Sequence, residues 1–101
     1  MAAPQAPARA ARLVRVRGLV QGVGYRYACV QQARALGLTG WVRNRLDGSV
    51  EALLQGPPGQ VERMCRWMHA DVPGARVDAI EAREVPPDVD ALDGFDQRST
   101  V

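Results

Sequence analysis

The chain has 101 residues, which suits one domain, and 47% of them are hydrophobic, enough for one modest core. Its net charge of +2 is too balanced to indicate a nucleic-acid or membrane partner. One histidine and two widely spaced cysteines, Cys29 and Cys65, do not indicate a metal site. No segment has the roughly 20 apolar residues of a membrane span or the apolar core of a secretory signal. We therefore expect a cytoplasmic protein with reduced thiols.

The first third of the chain predicts a tail, a strand and a helix. Residues 1–11 are rich in Ala and Pro and are expected to form a disordered tail before a single domain at 12–101. Residues 12–20 alternate, which predicts a strand with an apolar face on the core and a solvated arginine face. Residues 25–36 carry apolar side chains at helical spacing, and Gly37 stands where a helix C-cap belongs.

The middle of the chain predicts a hairpin and a second helix. Strand-like residues at 38–45 and 49–55 flank an Asp-Gly pair at 47–48, which is typical of a tight hairpin turn. The Gly-Pro-Pro-Gly run at 56–59 is expected to break the chain. Residues 60–69 then carry an apolar stripe with the i, i+3, i+4, i+7 spacing of a core helix.

The last part of the chain predicts one bulged strand, a loop and a short strand. In residues 75–84, the apolar residues Val77 and Ile80 are three positions apart and would point to opposite faces of a regular strand, which indicates a bulge. An acidic loop at 86–93 and a short strand at 95–99 follow. The order strand, helix, strand, strand, helix, strand predicts an α+β fold of the ferredoxin-like, βαββαβ kind. In that fold an antiparallel sheet of four to five strands carries two helices on one face.

Residues 18–26, with the sequence GLVQGVGYR, connect the first strand to the first helix. Glycines at a strand-to-helix turn, a free helix N-terminus and Arg26 together form a typical binding site for phosphate or carboxylate. The segment lacks the Gly-Lys-Ser/Thr ending of a nucleotide-hydrolase loop. It has Tyr27 where the dinucleotide fingerprint needs a third glycine. The residues alone leave open an anion cradle and a simple tight connection.

Chain topology predicts a second polar group at the same place. The strands on either side of the first helix point the same way, because a helix crossover joins them. Asn44, near the end of the second of these strands, is therefore expected close to the glycine loop and Arg26. An asparagine side chain donates and accepts at once, which suits holding a water. A strand-end hydrogen bond to the turn is the simpler alternative for Asn44.

Three segments together resemble the acylphosphatase family: GLVQGVGYR at 18–26, LGLTGWVRN at 36–44 and DGSVE at 47–51. The resemblance covers about residues 12–77, with a weaker final strand. It implies a ferredoxin-like enzyme that hydrolyses the carboxyl–phosphate bond of acyl phosphates to a carboxylate and inorganic phosphate, without a metal or cofactor.

The resemblance also implies roles for named residues. Arg26 and Asn44 would be catalytic, with Asn44 orienting the attacking water. The substrate phosphate would be bound by the amides of the loop and by the arginine, that is, by Gln21, Gly22, Val23, Gly24, Tyr25 and Arg26. Because the leaving carboxylate has a low pKa, no general acid is needed, and positioning and charge stabilisation carry the reaction.

Some positions depart from the family pattern. Leu19 replaces a basic or polar residue, residues 71–72 replace a Gly-Pro-like turn, and Gln97 replaces an apolar residue in the last strand. We expect these changes to affect the C-terminal edge and not the site.

Two other functions compete with acyl phosphate hydrolysis. An RNA-binding sheet would need exposed aromatic pairs on its strands, and the five aromatic residues do not supply them. The second is a domain of a larger carbamoyl-transfer protein. It is disfavoured because the chain ends at Val101 with no further domain. The expected partner is a small acyl phosphate, bound by a monomer that contacts no nucleic acid or membrane.

Overall fold

The computed structural model describes residues 9–91 and 93–101, so residues 1–8 of the expected tail lie outside the described residues. The described residues form five strands, two α-helices and one 3-10 turn. In chain order these are β1 (Ala10–Leu19), α1 (Tyr25–Ala35), β2 (Thr39–Asn44), β3 (Val50–Gly56), α2 (Pro58–Ala70), β4 (Arg76–Glu84), the 3-10 turn (Val89–Ala91) and β5 (Phe95–Gln97). The predicted ferredoxin-like α+β fold is confirmed. Within the described ranges, neither helix is long and apolar enough to cross a membrane.

The strand order in the sheet is β4-β1-β3-β2-β5. Among the first four strands of this order, each neighbouring pair is antiparallel. β5 instead pairs parallel with β2, so the sheet is mixed and not antiparallel throughout as predicted. The connection from β4 explains the difference, because it crosses the sheet at the end where β1 and β2 begin. There the Val85 N–H donates to the Ala11 carbonyl at 3.0 Å, and the Gln55 amide donates to the Asp88 carbonyl at 3.1 Å. The last strand therefore starts beside the start of β2 and runs the same way.

Element boundaries differ from the predicted ones in physically simple ways. β1 begins at Ala10, which shortens the expected tail. α2 begins at Pro58, inside the run expected to break the chain, because proline has no N–H to lose in the first turn of a helix. Gly37 ends α1 as predicted, with φ +70° and its N–H donating to the Arg34 carbonyl.

The predicted bulge in β4 is confirmed. Arg17 pairs with Ala79 but Gly18 pairs with Val77, so Asp78 is the extra residue. Gly18 has φ +136°, and a Cβ there would lie 2.2 Å from the carbonyl oxygen of Arg76. Glycine is therefore required where β1 passes the bulge.

The main core lies between the sheet and the two helices. It contains fully buried side chains from every layer, among them Val14, Val42, Leu54, Met64 and Phe95. Cys29 and Cys65 lie on the buried stripes of α1 and α2, as predicted, and both are free thiols. This packing fixes the end of the sheet from which the β1–α1 loop leaves.

The other face of the sheet is charged but not simply solvated. Only 6% of the Glu51 side chain is exposed. Its carboxylate forms ion pairs with Arg43 at 2.7 Å, Arg45 at 3.1 Å and Arg15 at 3.3 Å. Arg15 also lies 3.5 Å from Asp47. The arginine face predicted to be solvated is thus an ion-pair network over a buried carboxylate.

Candidate active site

The loop between β1 and α1 has a backbone that favours glycine at two positions. Gly22 has φ +74° and Gly24 has φ +80°, both in the left-handed region. A Cβ at either position would meet no protein atom within 4 Å. The two glycines therefore serve the loop's conformation, and the space beside them is open to a ligand.

Backbone N–H groups of this loop are available to an acceptor. Gly24 is the N-cap of α1, and its carbonyl accepts the first helical hydrogen bond, from Ala28 N–H at 3.0 Å. The N–H groups of residues 21–27 find no acceptor among the described residues. The first turn of α1 carries no acidic residue and no side-chain cap. The positive end of the helix is therefore free to attract an anion.

A cavity of about 120 Å³ lies beside the loop. Its walls come from the loop, the first turn of α1 and the last strand: Val20, Gly22, Gly24, Tyr25, Arg26, Tyr27 and Gln97. Arg26 is partly buried, and its guanidinium makes no hydrogen bond or ion pair within residues 9–91 and 93–101. An unpaired arginine beside free backbone amides is the arrangement that binds an oxyanion.

A larger concavity, of about 350 Å³, lies on the open face of the sheet. Its charged walls are two arginines, Arg15 and Arg83, and two carboxylates, Glu51 and Glu81. This balance of charge selects no anion, and the concavity has none of the loop's free amides. The smaller cavity at the glycine loop is therefore the candidate active site.

Tyr25 anchors the loop to the core. Its side chain is 1% exposed, and its hydroxyl donates to the Met68 carbonyl at 2.8 Å near the end of α2. Burial raises the pKa of this phenol, so it stays neutral. Tyr25 can therefore act on a ligand through its backbone N–H, while its side chain fixes the first turn of α1.

Gln21 ties the loop to the hairpin between β2 and β3. Its side-chain amide donates to the Arg45 carbonyl at 2.8 Å and to the Ser49 carbonyl at 2.9 Å. The Asp47 carboxylate accepts from the Ser49 N–H at 2.9 Å and from its hydroxyl at 2.6 Å. The end of β2 is thereby held against the glycine loop.

Asn44 is the last residue of β2 and lies on the helix side of the sheet, the face it shares with the buried Val42. Its Oδ1 atom is buried and has no hydrogen-bond partner among the described residues. The side chains of Asp47 and Gln21 already make the hydrogen bonds to the turn. The Asn44 side chain does not make the strand-end hydrogen bond that was the simpler explanation for this residue. A buried unpaired acceptor of this kind calls for a bound water.

The structure brings only some of the predicted residues together. Gly22, Gly24, Tyr25 and Arg26 line the cavity, whereas Gln21 and Asn44 stand beside it at the hairpin. Val23 does not line it either, because its side chain packs against the core.

Three further lining residues, Val20, Tyr27 and Gln97, were not predicted as site residues. Tyr27 on α1 and Gln97 on β5 are both exposed residues. The expectation that the Gln97 departure lies away from the site is therefore wrong. The parallel pairing of β5, which the sequence pattern did not indicate, carries Gln97 to the loop.

The Cys29 thiol is buried in the core and is not a nucleophile for this site. Burial raises the pKa of Cys29 to about 12, so it is a protonated core side chain at neutral pH. Across residues 9–91 and 93–101, no three His, Cys, Asp or Glu side chains are grouped so that they could hold a metal ion.

Comparisons with known proteins show the family of the chain. The chain matches the acylphosphatase family model over residues 12–97. It is 57% identical over 99 residues to acylphosphatase 1 of Ralstonia nicotianae, which covers 98% of this chain and 97% of the relative. The structure of an acylphosphatase from Coxiella burnetii superposes with a TM-score of 0.84 at 30% identity, covering 90% of this chain and 94% of that one.

A larger protein contains a similar domain. Full-length HypF, determined in a phosphate- and nucleotide-bound form, superposes with a TM-score of 0.84 at 26% identity. The match covers 95% of this chain but only 13% of HypF. The match to the family model spans the glycine loop and the end of β2, and the chain belongs to the acylphosphatase family.

Proposed function

We propose that this protein hydrolyses the carboxyl–phosphate bond of acyl phosphates, with loop 21–25 and Arg26 binding the phosphoryl group and Asn44 orienting the attacking water. Family membership assigns the reaction. One observation carries the assignment of residues: an unpaired Arg26 lines the same cavity as a glycine loop with free amides. HypF, the relative determined with phosphate bound, supports phosphate as the ligand.

Arg26 and the loop amides supply the charge that phosphoryl transfer needs. The guanidinium can grip two phosphoryl oxygens at once, and the backbone N–H groups add fixed dipoles. Each hydrogen bond to a charged group contributes about 1.5–3 kcal/mol. These donors are in place before the substrate arrives, so little reorganisation accompanies the transition state.

Asn44 supplies the acceptor that the water needs. The buried Oδ1 can accept a hydrogen bond from water and turn an oxygen lone pair toward phosphorus. The phosphorus–oxygen bond to the acyl group then breaks, and its electrons leave on a carboxylate of low pKa, which needs no acid. A phosphoryl oxygen takes the proton of the water. The proposed reaction needs no metal ion, because Arg26 and the loop amides stabilise the negative charge of the transferring phosphoryl group.

The test measures phosphate release from benzoyl phosphate in the presence of a chelator. We compare the wild type with Arg26→Ala and Asn44→Ala, and use Arg66→Ala, an exposed arginine on α2, as the control. We expect chelator-resistant turnover that Arg66→Ala leaves intact. Arg26→Ala should lose both rate and affinity for inorganic phosphate. Asn44→Ala should lose about 100-fold in rate, as for one catalytic donor, and still bind phosphate.

Each role has an outcome that contradicts it. Full activity in Asn44→Ala would exclude water positioning by this side chain. An unchanged phosphate affinity in Arg26→Ala would remove the phosphate clamp. Activity that disappears with the chelator would contradict a metal-independent mechanism.

RNA binding remains the weaker alternative. Trp41 on the open face is 7% exposed, and the guanidinium groups of Arg43 and Arg98 cover its ring at 4.5 and 5.1 Å. The ring is therefore not free to stack a base. A labelled single-stranded RNA that bound with micromolar affinity would favour this alternative.

We further propose that the protein acts as a monomer in the cytoplasm, without a nucleic-acid or membrane partner. Two buried, free cysteines suit a reducing compartment. The ion-pair network on the open sheet face is typical of a surface that stays in water. Light scattering across a concentration series, together with fractionation of the source cells, tests both statements.

A further inference from the structure

Gln97 stands beside the catalytic machinery because of the parallel last strand. In the pairing of β5 with β2, Gln97 is opposite Val42, and Asn44 lies two residues further along β2. Paired residues share a face of the sheet and alternate residues return to it, so Gln97 and Asn44 both face the helix layer. Gln97 also lines the 120 Å³ cavity together with Arg26.

Two chemically different groups of residues line the cavity. One is formed by Gly22, Gly24 and Arg26, with charge and backbone N–H donors for phosphoryl oxygens. The other is formed by Gln97 and the ring of Tyr27, a residue that is 65% exposed. The Gln97 amide has no hydrogen-bond partner within residues 9–91 and 93–101. Gln97 is an exposed, neutral donor and acceptor in the same cavity as an aromatic ring, which suits the carbonyl and substituent of an acyl group better than a phosphate.

We propose that Gln97 and Tyr27 form the subsite for the acyl group of the substrate, an inference that rests on the proposed function. With the phosphoryl oxygens bound by Arg26 and the loop, the acyl oxygens remain without a donor from the loop. The Gln97 side-chain NH₂ donates to the carbonyl oxygen of the acyl phosphate and stays on the departing carboxylate. The Tyr27 ring covers the substituent of the acyl carbon. Gln97 is thus a positioning and specificity residue on the leaving-group side.

The subsite predicts that acyl phosphates and inorganic phosphate respond differently to substitution. Gln97→Leu keeps the size of the side chain and removes its hydrogen bonds. We expect kcat/KM for benzoyl phosphate and for acetyl phosphate to fall about 3- to 10-fold, the effect of one neutral hydrogen bond. The Ki of inorganic phosphate, which has no acyl group, should not change. Tyr27→Ala should lower kcat/KM for benzoyl phosphate more than for acetyl phosphate, because only the former has a ring to cover.

Asp96→Asn is the matched control. Asp96 is the neighbour of Gln97 in β5, an edge strand of the sheet, and its carboxylate forms an exposed ion pair with Arg34 of α1 at 3.0 Å. This variant should keep both kcat/KM and the phosphate Ki, and thermal unfolding should show that all variants fold.

Three results would overturn the subsite. Unchanged kcat/KM in a folded Gln97→Leu would place Gln97 outside it. A phosphate Ki that rises as much as kcat/KM falls would make Gln97 a phosphoryl ligand. An equal loss for both substrates in Tyr27→Ala would remove the ring from the acyl side. A wild type that does not hydrolyse acyl phosphates would overturn the proposed function as well, whereas an active wild type with an unaffected Gln97→Leu overturns this inference alone.

Discussion

The side-chain amide of Gln21 donates a hydrogen bond to the carbonyl oxygen of Ser49 at 2.9 Å. This bond joins the loop that follows β1 to the hairpin that follows β2. The two halves of the proposed site, the phosphate cradle and Asn44, come from these two segments. The amide of Gln21 therefore ties together the two segments that carry the proposed site.

Replacing Gln21 should lower both stability and rate. Gln21→Ala leaves the Arg45 and Ser49 carbonyls without their donor, which we expect to cost about 1–3 kcal/mol in the free energy of unfolding. Gln21→Glu should cost more, because a carboxylate would face two carbonyl oxygens. Urea denaturation and kcat for benzoyl phosphate measure the effects, with Gln31→Ala on the exposed side of α1 as control. A Gln21→Glu variant as stable as the wild type would contradict this role.

Alanine at Gly24 should damage binding more than folding. The left-handed φ of +80° costs an alanine about 1–2 kcal/mol, but its Cβ would meet no protein atom. Gly48 in the hairpin turn has a similar φ of +92° and open space beside it. Gly48→Ala therefore imposes a similar backbone strain at a position outside the glycine loop. We expect both to lower stability alike, and Gly24→Ala alone to raise the Ki of inorganic phosphate. Equal phosphate binding in the two variants would show that the loop shape is not needed.

Local patterns predicted most of the fold. The Asp47–Gly48 turn, the Gly37 cap and the β4 bulge each depend on residues close in sequence, and all three are present. The start of α2 at Pro58 was missed because proline both ends and begins regular structure. The direction of β5 was missed because it depends on the path of a long connection across the sheet.

The residues at the proposed site also divide into those that local sequence predicts and those whose position depends on distant parts of the chain. The β1–α1 loop and Arg26 could be found from local sequence, because a glycine-rich strand-to-helix turn has a recognisable pattern. Asn44 required the crossover rule, which fixes the direction of two strands. Gln97 could not be placed, since no residue near it in sequence reports that β5 ends beside α1. The unpaired Oδ1 of Asn44 also needed coordinates, because burial of one atom depends on packing from several elements.

The Glu51 carboxylate should make stability depend on acid pH. Burial raises its pKa, but hydrogen bonds from Arg43 and Arg15 outweigh burial, so the pKa is lowered in the folded protein. A lowered folded pKa adds stability above the unfolded value of about 4.3, and this stability is lost as the pH falls below it. Glu51→Gln should lose about 1–3 kcal/mol at pH 7 and show a flatter fall in acid.

The measurement is urea denaturation of the wild type and Glu51→Gln at neutral pH and through the acid range. Glu62→Gln is the control, because its ion pair with Arg12 at 2.8 Å has a half-exposed carboxylate. We expect that pair to contribute less than about 1 kcal/mol. If the two variants lose the same free energy at pH 7, the arginine network around Glu51 is not a special source of stability.

Cys29 should be chemically inert in the folded protein. Its pKa of about 12, raised by burial, leaves almost no thiolate at pH 8. We expect an aromatic disulfide reagent to label Cys29 only after urea is added, and Cys29→Ala to keep its kcat while losing about 1 kcal/mol of stability. Rapid labelling of the native protein with loss of activity would place the thiol at the site.

Tyr25 has its backbone in the phosphate cradle and its hydroxyl on the carbonyl of Met68, 43 residues away in the chain. The cradle therefore cannot open widely unless the last turn of α2 gives up a hydrogen-bonding partner. Occupancy of the cradle by phosphate should then slow amide hydrogen exchange at the far end of α2 as well as in the loop itself. Binding of a small oxyanion should therefore be detectable on the neighbouring helix, through the hydrogen bond of one buried phenol.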